Sequence, residues 1–419
     1  MSQESRLFIE GGVPLQGEVT SSGAKNAALP ILAASILVKG QYYIENVPPL
    51  MDVSIMLKML NALGVRAEFC YPNRIRIWND RKIRHIAPYE LVTSMRASFF
   101  VSGPILARTG YAKVPLPGGC AIGTRPLDIH LKGFKSMGVD ISIEHGFVQM
   151  MTDALKGERI YLDFPSVGAT ENIMMASTLA DGTTTIENAA QEPEIVDLAN
   201  FLIQSGAKIS GAGTSTIVIE GVCELQGSDY SIIPDRIEVG TLMLASGITN
   251  GDVFIKDAVP DHIEPLIRKL QDCGVSVLVR DGGIHVKGAL NLQSVDIETM
   301  PFPGFPTDMQ AQFMSLLTLT SGVGIVTETI FENRFMHVNE LMRMGADIRV
   351  DQRQAVVKGV DRLCGAEVKM TDLRAGAALV VAGLAAHGTT SIYGLNHLNR
   401  GYHDLPQKLR DLGAIIQSK

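Results

Sequence analysis

The stretch Leu244-Ala-Ser-Gly-Ile-Thr-Asn-Gly251, followed by Leu270-Gln-Asp-Cys-Gly274, contains the unit from which the whole chain is built. Each segment is the end of a predicted helix that stops at a glycine, a residue that accepts the left-handed backbone found at many helix ends. After the second helix, apolar residues alternate in Val275-Ser-Val-Leu-Val279 and in Gly283-Ile-His-Val-Lys287, which is typical of strands. The unit is therefore predicted to combine two helices with short strands.

The same unit occurs six times along the chain. The glycines that end the first helix of each copy are between 66 (322 to 388) and 72 (110 to 182) residues apart. They are Gly40, Gly110, Gly182, Gly251, Gly322 and Gly388, and the second helices end at Gly64, Gly138, Gly206, Gly274, Gly345 and Gly413. With about four short strands in each copy, the pattern predicts an α/β protein made of repeats.

The sixth copy ends soon after Gly413, and the first residues of the chain supply what it lacks. The stretch Ser5-Arg-Leu-Phe-Ile-Glu-Gly-Gly-Val-Pro-Leu-Gln-Gly17 is similar to Ser215-Thr-Ile-Val-Ile-Glu-Gly-Val-Cys-Glu-Leu-Gln-Gly227. We therefore predict a domain 23–231 with copies one to three, and a discontinuous domain 1–22 plus 232–419 with copies four to six. Two covalent links favour hinge closure, and the cleft between the domains is the expected active site.

The composition is that of a globular protein, with 46% hydrophobic residues and a formal net charge of −7. This charge argues against a nucleic-acid or membrane surface, although arginines can still gather around a small anion. No apolar run reaches signal-peptide length at the amino terminus or the roughly 20 residues of a membrane span. The cysteines form no CxxC pair, so we expect a cytoplasmic protein without disulfides or zinc, in which Cys70, Cys223, Cys273 and Cys364 are small buried residues.

Polar residues stand at the predicted starts of the six first helices. Lys25, Arg96 and Arg374 are cations at such starts, where they oppose the helix dipole unless an anion compensates, so they indicate an anion site. Asp308 fits either an ordinary helix cap or a catalytic group. We expect the isolated histidines to be surface or packing residues rather than ligands: His130, His337, His397 and His403.

Cys120 lies in the glycine-rich stretch Leu116-Pro-Gly-Gly-Cys-Ala-Ile-Gly-Thr-Arg-Pro126. The glycines free the backbone on both sides, and Pro126 with Asp128 is typical of the first turn of a helix. Arg125 and this helix start would lower the pKa of a thiol and favour the thiolate. The residues alone leave open whether Cys120 acts as an acid or as a nucleophile.

Four stretches together resemble the UDP-N-acetylglucosamine 1-carboxyvinyltransferases, a family of enolpyruvyl transferases. They are Ser22-Gly-Ala-Lys-Asn-Ala-Ala-Leu-Pro30, the stretch Leu116–Pro126, Phe305-Pro-Thr-Asp-Met-Gln-Ala-Gln-Phe313 and Phe331-Glu-Asn-Arg-Phe-Met-His337. The resemblance runs from about Leu7 to Gly413 and implies an inside-out α/β barrel of six repeats in two domains. It implies transfer of the enolpyruvyl group of phosphoenolpyruvate to the 3'-hydroxyl of UDP-N-acetylglucosamine, with phosphate release, as the first committed step of peptidoglycan synthesis. No metal or organic cofactor is implied.

The resemblance also assigns roles to individual residues. Cys120 would donate a proton and could add covalently to phosphoenolpyruvate or to the epoxide fosfomycin, while Asp308 would be the base near the sugar hydroxyl. Phosphoenolpyruvate would be bound by Lys25, Asn26, Arg125 and Arg400, of which Lys25 and Arg400 count as catalytic. The UDP-sugar would be held by Arg96, Arg125, Pro126, Leu127, Asp128, Ile129, Ser166, Val167, Asp308 and Ile330, and the closed site lined by Arg334, Asp372 and Arg374. Phe164 departs from the lysine that the family often carries, which puts one nucleotide contact in doubt.

Two other functions fit parts of the sequence. A 5-enolpyruvylshikimate-3-phosphate synthase would share fold and phosphoenolpyruvate but needs no cysteine acid, so Cys120 argues against it. A catalytically silent repeat protein that binds a nucleotide-sugar would have no use for Lys25, Cys120, Asp308 and Arg400 together. A cysteine hydrolase lacks any local signature. We expect a monomer whose partners are its two small-molecule substrates.

Overall fold

The computed structural model describes residues 6–117 and 127–418. Within these residues the chain forms two compact units. The terminal unit contains both ends of the described chain and consists of residues 6–22 and 234–418, and the middle unit consists of residues 23–117 and 127–233. Each unit contains three β-sheets and a centre of three buried helices.

The helices of the described residues divide between the two units. In the middle unit they are α1 (Lys25–Ala34), α2 (Met51–Leu63), α3 (Tyr89–Ser94), α4 (Ser102–Thr109), α5 (Asp128–Ser136), α6 (Val167–Ser177) and α7 (Pro193–Gln204). In the terminal unit they are α8 (Arg236–Ile248), α9 (Glu264–Asp272), α10 (Gln310–Leu317), α11 (Val338–Arg343), α12 (Leu373–Ala385), α13 (Leu395–Leu398) and α14 (Leu405–Asp411). Short 3₁₀ helices cover Arg96–Val101, Pro260–His262 and Thr307–Met309. None of these helices has both the length and the apolar character needed to span a membrane.

One helix in each unit packs against several others and is buried almost all round, which accounts for its lack of a polar face. In the middle unit α6 packs against α1 and α4, and in the terminal unit α12 packs against α8 and α10. Every residue of α8 from Ile237 to Ile248 is buried, as is every residue of α10. These central helices are rich in alanine, serine, threonine and glycine, whose small side chains allow close packing.

The sheets surround these centres and, apart from one three-stranded sheet in the middle unit, share one strand order. The middle unit has β13 (Leu225–Gln226), β3 (Val38–Glu45), β5 (Arg74–Asn79) and β4 (Arg66–Tyr71), with β14 (Tyr230–Ser231) also beside β3; then β6 (Tyr111–Pro115), β8 (Phe147–Met151) and β7 (Asp140–Glu144); and β9 (Arg159–Tyr161), β10 (Thr183–Glu187), β12 (Thr216–Glu220) and β11 (Lys208–Ser210). The terminal unit has β2 (Gln16–Thr20), β15 (Asp252–Lys256), β17 (Gly283–Lys287) and β16 (Ser276–Arg280); β18 (Ile297–Glu298), β19 (Val323–Thr327), β21 (Gln354–Lys358) and β20 (Asp347–Asp351); and β22 (Glu367–Lys369), β23 (Thr389–Tyr393), β1 (Arg6–Glu10) and β24 (Ile415–Ser418).

The first strand of the chain completes the sixth sheet. In β1, Leu7 pairs with Ile392 of β23 on one side and with Ser418 of β24 on the other, both antiparallel. Elsewhere this place is held by a strand of the same repeat, such as β21 between β19 and β20. The prediction that the first residues complete the sixth repeat is confirmed.

The glycines that mark the repeats mostly have the expected backbone. Eleven of the twelve have a positive φ, and the exception is Gly251, where the neighbouring Asn250 takes the left-handed conformation with φ 52°. Gly251 is needed for another reason, because a Cβ there would lie 2.6 Å from the carbonyl oxygen of Leu15. Gly40 does not end a helix as predicted, since α1 stops at Ala34 and Gly40 lies within β3.

The expectation that four cysteines are buried is wrong for three of them. Only Cys273 is buried, and burial raises the pKa of its thiol to about 12. Cys70 is exposed in β4, beside an irregularity in the pairing with β5, and the exposed Cys223 and Cys364 lie in the connections before β13 and β22. A residue in such a connection does not follow the alternation by which strands bury side chains.

The chain passes between the units twice, after Ser22 and after Ile233. On the terminal side, Asp235 N donates to Ser22 O at 2.8 Å, and Lys408 Nζ donates to Ser22 Oγ at 2.7 Å and to Glu238 Oε1 at 2.9 Å. On the middle side, Ala24 N donates to Ile233 O at 2.8 Å. At each crossing, the residues before and after the boundary are thus held by hydrogen bonds within the unit to which they belong.

Asp197 of α7 holds the segment that precedes the second crossing, residues 230–233, in the middle unit. Its carboxylate accepts hydrogen bonds from Tyr230 Oη at 2.6 Å and from Ile233 N at 3.3 Å. Burial raises the pKa of Asp197 to about 6, although both hydrogen bonds oppose this change. The raised pKa means that protonated Asp197 stabilises the folded state. This contribution to the unfolding free energy is complete below the ordinary pKa of 3.8 and is lost as the pH rises through about 6.

We expect the wild-type middle unit to gain about 1 kcal/mol of unfolding free energy between pH 7 and pH 5 relative to Asp197→Asn, because asparagine does not titrate. Trp78 is the single tryptophan of the chain and lies in this unit, so its fluorescence in urea measures the unfolding. The change with pH is the readout, since the substitution also alters hydrogen bonds at both pH values. Asp163→Asn, at an exposed aspartate of the same unit, is the control; equal wild-type and Asp197→Asn responses to pH would contradict the assignment.

Candidate active site

Asp308 is placed by the 3₁₀ turn Thr307–Met309, directly before the buried helix α10. Its two oxygens accept hydrogen bonds from two different arginines: Arg334 Nη2 lies 2.6 Å from Oδ1, and Arg374 Nη2 lies 2.7 Å from Oδ2. The arginine side chains are only 3% and 6% exposed, whereas the Asp308 side chain is 26% exposed. Asp308 is thus a partly accessible carboxylate held by two buried guanidinium groups, which brings together three predicted site residues.

Arg374 is fixed by a second set of contacts inside the terminal unit. Its Nη1 donates to Tyr402 Oη at 3.3 Å, and the same hydroxyl contacts Thr241 Oγ1 at 2.9 Å and Gln312 Nε2 at 3.1 Å. Burial acts to lower the pKa of Arg374, but Asp308, Tyr402 and Asp235 act in the opposite sense, and the pKa is raised overall. The guanidinium therefore stays charged and directed at Asp308.

Asp372 and His337, which flank this cluster in sequence, have structural roles. Asp372 caps α12, its Oδ1 accepting hydrogen bonds from Arg374 N at 2.8 Å and from Ala375 N at 3.1 Å, so it fixes the start of the helix that carries Arg374. His337 is buried, and burial lowers its pKa to about 4, so its ring is neutral at neutral pH. Arg400 and Ile330 are half-buried in the same unit.

Lys25 is the first residue of α1, and Asn26 follows it in the first turn. The Lys25 ammonium Nζ lies 3.6 Å from Asp52 Oδ2 in the first turn of α2, and the two side chains are 12% and 6% exposed. The sequence argument was that a cation at a helix start needs a bound anion; here protein carboxylates supply part of that compensation, Asp52 for Lys25 and Asp308 for Arg374. The cations alone therefore do not establish an anion site.

Arg96 begins a 3₁₀ helix, and the α-helix predicted from this point starts only at Ser102. Pro104 has no N–H to donate to the carbonyl of residue 100, which disfavours an α-helical hydrogen-bond pattern running from Arg96 into α4. Ser166 caps α6 by accepting a hydrogen bond from Ala169 N at 3.4 Å, and Val167 is the first residue of that helix.

His130 of α5 is a buried packing residue, as expected. Its ring packs edge-on against Phe99 with the centroids 5.4 Å apart, and its Nδ1 lies 3.3 Å from Asn172 Nδ2. Burial, aided by the charge of Arg96, lowers the pKa of His130 to about 3, so the ring is neutral.

Three predicted site residues, Cys120, Arg125 and Pro126, lie outside the described residues. Next in the chain, Leu127 and Ile129 are half-buried, and Asp128 is exposed as the first residue of α5. Phe164, the departure from the family pattern, is 42% exposed two residues before Ser166. Within the described residues, no group of three His, Cys, Asp or Glu side chains is arranged to hold a metal ion.

Sequence reasoning missed three residues that contact predicted site residues or their backbone: Asp52, Tyr402 and Glu328. Asp52 pairs with Lys25, Tyr402 with Arg374, and Glu328 with the backbone N–H of Ile330. No local pattern marks Asp52 or Glu328. Only its position two residues after Arg400, a predicted site residue, could have marked Tyr402 as part of the site.

Comparison with known proteins assigns the fold and then the family. A sequence profile described as EPSP synthase (3-phosphoshikimate 1-carboxyvinyltransferase) matches residues 9–409. The enolpyruvyl transferase NikO from Streptomyces tendae superposes with a TM-score of 0.89 at 26% identity, covering 99% of both chains. An EPSP synthase from Acinetobacter baumannii has the same fold, with a TM-score of 0.77 at 18% identity and full coverage of both chains. The fold is that of the enolpyruvyl transferases, as predicted.

Curated relatives are much closer in sequence. UDP-N-acetylglucosamine 1-carboxyvinyltransferase 1 of Caldanaerobacter subterraneus subsp. tengcongensis is 55% identical over 416 residues, covering 99% of this chain and 100% of the relative. UDP-N-acetylglucosamine 1-carboxyvinyltransferase of Gloeobacter violaceus is 56% identical over 412 residues, covering 98% of this chain and 90% of the relative. The chain belongs to the UDP-N-acetylglucosamine 1-carboxyvinyltransferase family of enolpyruvyl transferases.

Proposed function

We propose that this protein transfers the enolpyruvyl group of phosphoenolpyruvate to the 3'-hydroxyl of UDP-N-acetylglucosamine and releases phosphate. The observation that carries the proposal is identity of 53–56% over nearly the whole chain to five relatives named for this activity. The cluster around Asp308 supports it, because a partly exposed carboxylate between two buried cations suits proton transfer beside an anionic substrate.

In the proposed reaction, Cys120 donates a proton to the methylene carbon of phosphoenolpyruvate while the sugar hydroxyl adds to the neighbouring carbon. Asp308 accepts the hydroxyl proton. The resulting tetrahedral intermediate loses phosphate, which leaves with the proton held by Asp308, and one proton of its new methyl group returns to the Cys120 thiolate as the double bond re-forms. Arg334 and Arg374 each donate a hydrogen bond to one Asp308 oxygen, and these two contacts fix the orientation of the proposed base.

The proposed ligand contacts form two groups, one for each substrate. Lys25, Asn26, Arg125 and Arg400 would bind the phosphate and carboxylate of phosphoenolpyruvate, and Lys25 is supported by its nearly buried ammonium at the start of α1. The hydroxyl of the capping Ser166 and the first backbone N–H groups of α6 would contact the UDP-sugar. Arg125 would contact both substrates. The remaining proposed UDP-sugar contacts are Arg96, Pro126, Leu127, Asp128, Ile129, Val167, Asp308 and Ile330.

The wider context of the proposal follows from the reaction. We expect the protein to act in the cytoplasm at the first committed step of peptidoglycan synthesis, and so to be required for cell shape and division. Cys120 would be the residue that fosfomycin alkylates.

The test is phosphate release from phosphoenolpyruvate by the purified protein, with UDP-N-acetylglucosamine or with shikimate 3-phosphate as acceptor. We expect release only with the UDP-sugar. Asp308→Asn, prepared in parallel, controls for contaminating phosphatases because it keeps the shape of the side chain and removes the proposed base.

Each outcome separates the candidate functions. Release only with shikimate 3-phosphate would assign the chain to the activity named in the matching sequence profile. Binding of UDP-N-acetylglucosamine in calorimetry without phosphate release would indicate a silent nucleotide-sugar-binding protein.

A further inference from the structure

Glu328 follows β19 and is completely buried. Its carboxylate accepts four hydrogen bonds, all from neutral groups. Oε1 accepts from Thr299 Oγ1 at 3.0 Å, from Ile330 N at 2.9 Å and from Phe331 N at 3.0 Å, and Oε2 accepts from Thr307 Oγ1 at 2.9 Å. A buried carboxylate is tolerated only when such donors replace its water shell.

The donors come from separate segments of the terminal unit. Thr307 begins the 3₁₀ turn that contains Asp308, and the two backbone N–H groups belong to the segment that contains Ile330. Thr299 also holds the segment that contains Ile330, since its Oγ1 accepts a hydrogen bond from Thr329 N at 2.9 Å. Glu328 is itself fixed, because its own N–H donates to Arg353 O at 2.8 Å. One carboxylate therefore links the turn of Asp308 to the segment of Ile330.

We propose that Glu328 is a positioning residue for the UDP-sugar, one that sets the spacing between Asp308 and Ile330. The inference rests on the proposed function, in which both residues contact the UDP-sugar. Two charge-assisted hydrogen bonds from consecutive N–H groups fix the Ile330 segment, and the Thr307 hydroxyl fixes the other side. Among the described residues, the hydrogen-bond partners of Glu328 are not groups proposed to bind phosphoenolpyruvate, so loss of Glu328 should mainly affect the UDP-sugar.

The test compares Glu328→Ala and Glu328→Gln in steady-state phosphate release with each substrate varied in turn. We expect Glu328→Ala to raise the KM for UDP-N-acetylglucosamine by about tenfold or more, and the KM for phosphoenolpyruvate by less than about threefold. Glutamine keeps an acceptor for the two N–H groups and can donate to a threonine hydroxyl, so Glu328→Gln should stay within about threefold of wild type for both.

A control variant separates positioning from general destabilisation. Asn79 of β5 is buried in the other unit and donates to Ser35 O, Ile36 O and Val38 O, a set of backbone hydrogen bonds close in number to that of Glu328. Asn79→Ala should lower thermal stability without changing the ratio of the two KM values. If Glu328→Ala does not fold, Thr307→Val decides, since it removes only the hydroxyl on the Asp308 side and should raise the KM for the UDP-sugar selectively.

The outcomes distinguish the two levels of inference. A wild-type protein that turns over UDP-N-acetylglucosamine, with a Glu328→Ala variant whose two KM values are unchanged or rise equally, would overturn the positioning role alone. The same KM split in Asn79→Ala would also overturn it. A wild-type protein without turnover would overturn the proposed function, and the positioning role with it.

Discussion

Replacing Cys120 by serine is expected to lower the rate of phosphate release by about 10²–10⁴-fold, the usual contribution of a positioned general acid. A serine hydroxyl has nearly the size of the thiol but a much higher pKa, so it neither donates its proton to carbon as readily nor forms the corresponding anion. The measurement is kcat with both substrates saturating. Cys364→Ser, at an exposed cysteine in the connection before β22, is the matched control and should keep wild-type turnover.

The same pair of variants tests the covalent role of the thiol. In wild-type protein and in Cys364→Ser, the Cys120 thiolate should open the fosfomycin epoxide, forming a C–S bond and leaving an alcohol, so the intact mass rises by that of one inhibitor molecule. The Cys120→Ser protein should show no such adduct. Full turnover in Cys120→Ser would refute the acid assignment, and an adduct on another cysteine would refute the alkylation site.

Removing the Asp308 carboxylate is expected to affect both turnover and stability. Asp308→Ala leaves the buried guanidinium groups of Arg334 and Arg374 without their shared partner, which should cost about 3–5 kcal/mol of unfolding free energy. Turnover should fall by about 10²–10⁴-fold because the base is lost. Asp308→Asn should lose turnover to the same degree but less stability, since an amide oxygen still accepts one guanidinium hydrogen bond.

A comparison with Asp252 shows why burial decides the stability effect. Asp252 also contacts two basic side chains, His285 at 2.6 Å and Lys287 at 3.6 Å, but its side chain is 45% exposed. Asp252→Ala should therefore cost at most about 1 kcal/mol and leave turnover unchanged. Urea unfolding of both alanine variants measures the difference; similar losses would show that the Asp308 cluster is not a buried pair in solution.

Most of the fold could be predicted from the sequence because the repeat imposes the same local rules six times. Helix ends at glycines and alternation in strands are local, and even the place of β1 followed from its similarity to a strand in another copy. The failures are also local in origin. Pro104 disfavours the helix predicted from Arg96, and Asn250 takes the left-handed position in place of Gly251.

The site was less predictable because its contacts are not local. Asp308 and Arg374 lie 66 residues apart in the chain and meet only when α10 and α12 pack together. The partners that were missed, Asp52, Tyr402 and Glu328, are ordinary residues in sequence and gain their roles from burial beside a charge. Periodicity identifies which positions are buried, but it does not identify which buried polar groups will be neighbours.

The position of β1 between β23 and β24 has a consequence for synthesis on the ribosome. The middle unit has all its strands once residue 231 has been made, so it can fold while the rest of the chain is still being translated. The terminal unit cannot, because β1 is made long before its two neighbours, residues 389–393 and 415–418. Its sixth sheet therefore closes only after residues 415–418 have been made, and until then the apolar residues of β1, Leu7 and Ile9, lack the neighbouring strands that bury them.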